Sequence, residues 1–230
     1  MRINKWIAFH SAHSRRAADA LVAAGRVTIN GQTAQLGSSV AEDDTVAIDG
    51  TSIRPKKNLQ TTTLILHKPV GYVCSRNGQG APTVYSLVPQ TYHALDIAGR
   101  LDKDSSGLVV LTDNGALLYS LTHPSQHKLK RYAITLNKPL SEAHQKHITE
   151  TGVKLEDGVS KFAITPTNAE RTRCDIQMYE GRNRQIRRTL EALHYSIISL
   201  HRLSVADYAL GTLPTGKWTL RQTTTCVNIK

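Results

Sequence analysis

The stretch Gly99-Arg100-Leu101-Asp102-Lys103-Asp104-Ser105-Ser106-Gly107-Leu108, continued by Val109-Val110-Leu111-Thr112-Asp113-Asn114-Gly115, sets an aspartate just ahead of an apolar run. Leu108 to Leu111 is too short for a helix and lies between Gly107 and an Asp-Asn-Gly turn signal, so it is predicted to be a core strand. Asp102 then stands in a loop at the mouth of a buried strand, where a rigid scaffold can present a reactive carboxylate. Asp104 competes for that role on the same loop. Arg100, two residues earlier on an extended segment, shares the side of Asp102 and is a candidate for binding an anionic group such as a phosphate.

The chain has 230 residues, with 29 Lys and Arg against 18 Asp and Glu, a formal charge of +11. Such an excess favours an anionic partner, nucleic acid first. The charge is spread along the chain: residues 1–60 carry 8 basic and 5 acidic side chains, a net of +3, which leaves +8 for the rest. Cys74, Cys174 and Cys226 are odd in number, far apart and without C-x-x-C spacing, which predicts a reducing compartment and neither zinc nor disulfides. No apolar stretch approaches the roughly 20 residues of a membrane span, and Met1-Arg2-Ile3-Asn4-Lys5 does not lead into a signal-peptide core. A cytoplasmic, monomeric protein without a membrane, metal or small-molecule cofactor is expected.

Two parts are legible. Ile3, Trp6 and Ile7 at helical spacing predict a first helix to about Ala12. Ser14 can cap a second, with Arg15 and Arg16 in its first turn, Ala17 to Val22 in its body and Gly25 past its end. Strands follow at Val27 to Ile29, ending in Asn30-Gly31, and at Val46 to Ile48. Residues 1–50 therefore form a small module, and 51–62, with Pro55, Lys56-Lys57 and a threonine-rich tract, read as a linker. From residue 63 to 230, β-branched runs at 64–66, 133–136, 162–165, 174–179 and 197–200 alternate with helical stretches at 115–121, 141–149 and 183–194. Strands outnumber helices, so an α+β fold on a mainly antiparallel mixed sheet with flanking helices is expected.

Three further clusters carry chemistry. In Tyr179-Glu180-Gly181-Arg182-Asn183-Arg184-Gln185-Ile186-Arg187-Arg188, a strand ends, Gly181 turns, and Asn183 can cap a helix with Ile186, Leu190 and Leu193 inward. Arg182 and Arg184 lie near the helix start, a natural anion site. Arg187 borders the apolar face, where it can pair with Glu191 one turn on or with a carboxylate elsewhere. Lys130-Arg131-Tyr132 opens a strand, and His67-Lys68-Pro69-Val70-Gly71 closes one and turns.

These motifs resemble those of pseudouridine synthases, in particular the ribosomal-RNA family with an N-terminal S4-type RNA-binding domain, and the resemblance spans almost the whole chain. Ser-Arg-Arg-Ala-Ala-Asp from Ser14 and Gly-Arg-Val-Thr-Ile-Asn-Gly from Gly25 are similar to the S4 domain, which implies that Arg15, Arg16 and Arg26 face RNA phosphates. Arginines in the first turn of a helix oppose its dipole, which fits a binding role better than a stabilising one. Gly-Arg-Leu-Asp aligns Asp102 with the family's essential aspartate. The Gln-Ile-Arg motif implies that Arg187 pairs with it, and Lys-x-Tyr implies that Tyr132 stacks on the uracil. The family's opening motif makes Lys68 a candidate for reaching RNA, and its late leucine motif places Leu200 near the target base.

The implied reaction breaks the N1–C1′ bond of a uridine, turns the uracil and rejoins it through C5, with no cofactor. The expected partner is ribosomal RNA or a pre-ribosomal particle. Two other readings compete. A non-catalytic ribosome-assembly factor on the same scaffold would have no use for Asp102, Tyr132 and Arg187 together. A nucleotide hydrolase or glycosidase using Asp102 and Asp104 would need its carboxylates farther apart or a glycine-rich phosphate loop.

Overall fold

The computed structural model describes residues 1–55, 61–78 and 80–223, which form two compact units. The expected linker is described at its ends only. Thr51 and Ser52 are already strand, and the next strand begins at Thr61, while residues 56–60 and Cys226 lie outside the described residues.

The first unit runs α1 (Ile3–His10), α2 (Arg15–Ala23), β1 (Val27–Ile29), β2 (Gln32–Thr33), β3 (Val46–Ile48) and β4 (Thr51–Ser52). The Ser14 hydroxyl accepts from the Ala17 amide at 3.2 Å, the cap its sequence position implies. Asn30 and Gly31 both have positive φ, 51° and 79°, as a two-residue hairpin turn between β1 and β2 requires. Helix α1 stops at His10, two residues short of expectation. Ile3, Trp6, Ile7, Ala18, Val22, Val27 and Val46 bury one small core.

The second unit is built on a nine-stranded sheet. Its chain order is β5 (Thr61–Lys68), β6 (Asp96–Ala98), β7 (Ser106–Thr112), α3 (Gly115–Thr122), β8 (Lys130–Leu136), α4 (Glu142–Lys146), β9 (Val153–Leu155), β10 (Gly158–Ser160), β11 (Ala163–Pro166), β12 (Arg173–Met178), α5 (Gln185–Glu191), β13 (Ile197–Val205), β14 (Tyr208–Ala209) and β15 (Trp218–Thr223). The sheet order is β11-β12-β8-β13-β7-β5-β15, with β14 added to β13 and β6 to β7, while β9 and β10 form a separate hairpin. Neighbours are antiparallel except β7 and β13, which run parallel. This is the mainly antiparallel α+β architecture expected.

Strand alternation sorts the core into two layers. Leu64, Leu66, Val109 and Leu111 face a large core that includes Ile134, Ile148, Ile186 and Leu190, whereas Ile65, Leu108 and Val110 face a smaller one closed by Leu121 of α3. The stretch expected as one helix over 141–149 is α4 followed by a π-helical turn, His147–Thr151. No helix among the described residues is long and apolar enough to cross a membrane.

Candidate active site

Loop 99–105 enters the sheet at the first residue of β7, and two buried cations hold it. Lys68, the last residue of β5, is fully buried and donates from Nζ to the carbonyl oxygens of Pro69 and Asp102, both at 3.0 Å, and of Ser105. Burial pulls its pKa below the usual lysine value, against the opposing pull of the Cys74, Asp104 and Asp102 side chains. Arg202 of β13, 3% exposed, donates from Nε to Leu108 O at 2.8 Å, from Nη2 to Gly99 O at 3.2 Å and from Nη1 to Arg100 O at 3.3 Å. Lys68 thus grips the far side of the loop and Arg202 the near side.

Between these clamps Leu101 is buried, and its amide donates to Cys74 Sγ at 3.4 Å. Burial pushes the Cys74 thiol pKa up, so this sulfur acts as a neutral packing group. Gly71 N donates to Lys103 O at 2.7 Å, and Ser105 N closes a turn onto Asp102 O at 3.1 Å. With the backbone so pinned, the carboxylates of Asp102 and Asp104 project outward, their side chains 36% and 48% exposed.

The arginine cluster meets them. Arg184 places Nη1 3.5 Å from Asp102 Oδ2 and Nη2 3.3 Å from Asp104 Oδ2. Arg187, its side chain 13% exposed, donates from Nη2 to Asp104 O at 3.0 Å and to Ser105 Oγ at 3.1 Å, with Nε 3.4 Å from Asp104 Oδ2. The expected pairing is therefore redistributed. Arg184 contacts Asp102 directly, while Arg187 holds the loop that carries it, and the alternative pair of Arg187 with Glu191 is not formed. The cause is local backbone: Arg184 sits at φ 45° in the left-handed region immediately before α5, where Asn183 was expected to cap, and no side chain caps this end.

The hairpin of β9 and β10 braces α5 from the other side. Thr189 Oγ1 donates to Ser160 Oγ at 2.7 Å and Gln185 Nε2 donates to the same atom at 3.1 Å. Arg188 donates to Asp157 Oδ2 at 2.8 Å. Arg182, expected at an anion site for RNA, is corrected to a structural role: its two Nη atoms donate to Asp157 O and Val159 O, both at 2.8 Å, and to Asp157 Oδ1 at 3.0 Å, while its buried Nε lies 3.2 Å from Glu180 Oε2 without a hydrogen bond. Lys68 needs the same correction, because an ammonium caged by three carbonyls has no route to RNA.

Tyr132 is 7% exposed on the large-core face, with Arg202 as its register partner across β13 and Ile176 on its other side. Leu200 is buried on the same face. Arg100 is exposed, and its side chain makes no hydrogen bond or ion pair among the described residues. In the first unit Arg15 and Arg16 are exposed in the same unpaired state, whereas Arg26 is held by both carboxylate oxygens of Asp49. Arg202 was not singled out from the sequence. Its signal was its place two residues after Leu200, on the same face of a strand by the period of two, where a buried arginine must be paired.

Residues 62–192 match the model of the RNA pseudouridylate synthase family, and residues 1–46 match the S4 domain. The chain is 32% identical over 218 residues to the dual-specificity RNA pseudouridine synthase RluF of Escherichia coli (strain K12), covering 95% of this chain and 74% of the relative. It is 34% identical over 228 residues to the ribosomal large subunit pseudouridine synthase B of Salmonella typhi, covering 95% and 78%. A crystal structure of a pseudouridylate synthase is similar over 96% of both chains, with a TM-score of 0.67 and 27% identity. With its first 46 residues matching an S4 domain and more than half its length the synthase model, this chain belongs to the RNA pseudouridylate synthase family.

Proposed function

We propose that the protein isomerises uridine to pseudouridine in ribosomal RNA, with Asp102 as the catalytic carboxylate, Tyr132 as the ring against the uracil and Arg187 as the cation that keeps the Asp102 loop in place. The observation that carries this reading is the loop itself: two buried cations, Lys68 and Arg202, hold the backbone on either side of Asp102, while the carboxylate stays open to solvent and next to a guanidinium. A carboxylate held in this position can attack the substrate or accept a proton from it. The overall change breaks N1–C1′ and makes C5–C1′, while C5 loses a proton and N1 gains one, so no oxidant, reductant or metal enters the balance.

A uridine within folded RNA must be extruded before its glycosidic bond is reachable, at a cost of a few kcal/mol. Phosphate contacts by Arg184 and Arg100, and by Arg15, Arg16 and Arg26 in the first unit, offset that cost, and Leu200 packs near the target base. Arg26 must exchange Asp49 for phosphate to take part. The working division is residues 1–50 for RNA binding, 51–62 as linker and 63–230 for catalysis, in a cytoplasmic monomer acting on free ribosomal RNA or an assembling particle. Relatives named for the large ribosomal subunit and for dual RNA specificity support this substrate class.

The test is direct. Purified protein should convert uridine in deproteinised ribosomal RNA without added cofactor, and Asp102→Asn should keep RNA binding while losing turnover. Full turnover by Asp102→Asn would remove Asp102 from the mechanism.

A further inference from the structure

The Arg–Asp pairs of the α5 region fall into two classes. Arg188 and Arg182 meet Asp157 at 2.8 Å and 3.0 Å, the spacing of firm charge-assisted hydrogen bonds. Arg184 instead meets Asp104 at 3.3–3.4 Å through three contacts and Asp102 at 3.5 Å. These pairs are long, shared and open to solvent on both partners. Screening leaves such pairs little net strength, so a competing anion can exchange into them.

A second observation concerns Arg187. Its Nε is buried with no hydrogen-bond partner, although Asp104 Oδ2 lies only 3.4 Å away. The carboxylate is turned to serve Arg184, and the donor it leaves unmet belongs to the arginine that grips the catalytic loop. An unmet buried donor costs free energy that a small reorientation of Asp104 would recover.

Building on the proposed function, we infer that the Asp104 carboxylate is a resident substitute for a substrate phosphate. In the free protein it occupies Arg184. When an RNA phosphodiester takes Arg184, the carboxylate turns fully to Arg187 Nε and completes the hold on the loop bearing Asp102. Asp104 is thus a positioning residue: it acts through the two arginines and makes tight assembly of the loop conditional on bound RNA. The backbone carbonyl of Asp104, which already accepts from Arg187 Nη2, stays in place throughout.

The exchange predicts a gain of binding that a merely structural aspartate would not give. Binding is measured with fluorescently labelled oligouridine across a range of salt concentrations, so that the phosphate contribution is read separately from sequence recognition. Asp104→Asn should bind about two- to fivefold more tightly than wild type at low salt, because Arg184 no longer leaves a partner to bind phosphate. The slope of log K against log salt should steepen by up to about 0.7, the single-strand value for one phosphate contact. Turnover by Asp104→Asn on ribosomal RNA should fall, and Asp104→Glu should restore both salt slope and turnover toward wild type. The affinity gain should vanish in Asp104→Asn/Arg184→Ala.

Equal or weaker binding by Asp104→Asn overturns the inference, as does a gain that survives without Arg184. A misfolded variant cannot mimic tighter binding. Wild-type turnover tests the proposed function and the binding comparison tests this inference, so either can fail while the other stands.

Discussion

Lys68 Nζ donates to the carbonyl oxygens of both Asp102 and Ser105, so the last residue of β5 fixes the two ends of the turn that displays the catalytic candidate. The lysine gives up its hydration to do this, and three carbonyls replace it. Lys68→Met should leave those acceptors unpaired and destabilise the second unit by roughly 2–3 kcal/mol. Thermal unfolding should then begin roughly 5 °C lower or more. Lys68→Arg should fail to rescue it, because the carbonyl cage converges on one nitrogen and a planar guanidinium presents its donors differently. A Lys68→Met protein that melts as wild type would show the cage to be dispensable.

The two arginines beside the aspartates should separate kinetically. Arg184 is exposed and spans both carboxylates, so Arg184→Ala should chiefly raise KM and lower the salt slope of RNA binding by about 0.7 to 0.9, one phosphate contact. Arg187 is mostly buried and holds Asp104 O and Ser105 Oγ, so Arg187→Ala should lower kcat on the order of a hundredfold with a smaller change in KM. Steady-state kinetics on ribosomal RNA checks both, and an equal KM effect in the two variants would contradict the division of labour.

Strand β7, the Ser14 cap and the loop position of Asp102 were legible because each is written in fewer than about ten consecutive residues. What escaped the sequence depends on distant partners. Lys68 reads as a surface lysine beside a turn, and only the pairing of β5 with β7, which sets Lys68 opposite Gly107, puts it under the loop. The roles of Arg182 and Arg184 were equally hidden. Both stand near the start of α5, but the left-handed backbone at Arg184 aims one toward the aspartates, while the β9–β10 hairpin captures the other. Arg202 was obscured for the same reason, since its three acceptors lie about a hundred residues earlier in the chain.

On the opposite face of the sheet, His201 Nδ1 and Ser106 Oγ are hydrogen-bonded at 2.9 Å, and the His67 ring lies 5.1 Å away. Burial, then repulsion from His67, lowers the His201 pKa from the usual 6.5. A histidine depressed in the folded state binds a proton less readily than in the unfolded chain. Its contribution to stability is therefore present above pH 6.5 and is lost as pH falls through the lower folded value. Melting temperature should drop on acidification below about pH 6.5, and His201→Gln should flatten that drop. An unchanged acid slope in the variant would assign the pH sensitivity to other groups.

Gly107, the second residue of β7, has φ +112°, and a Cβ there would lie 2.3 Å from Arg202 O and 2.5 Å from Arg202 N. Those atoms are backbone of the parallel partner strand β13 and cannot rotate away. Gly107→Ala must therefore push β13 outward or twist the entry to β7, and either movement drags the Arg202 clamp off Gly99 and Arg100. Backbone strain alone costs about 1–3 kcal/mol, and the overlap adds to it. The expected result is a loss of about 3 kcal/mol or more in urea unfolding, with turnover falling in any folded fraction. Arg202→Met, which removes the clamp but leaves the strands in contact, should lose turnover with a smaller fall in stability. If Gly107→Ala unfolds at the wild-type urea midpoint, β7 and β13 do not approach this closely in solution, and the close β7–β13 contact is not what sets the geometry that presents Asp102.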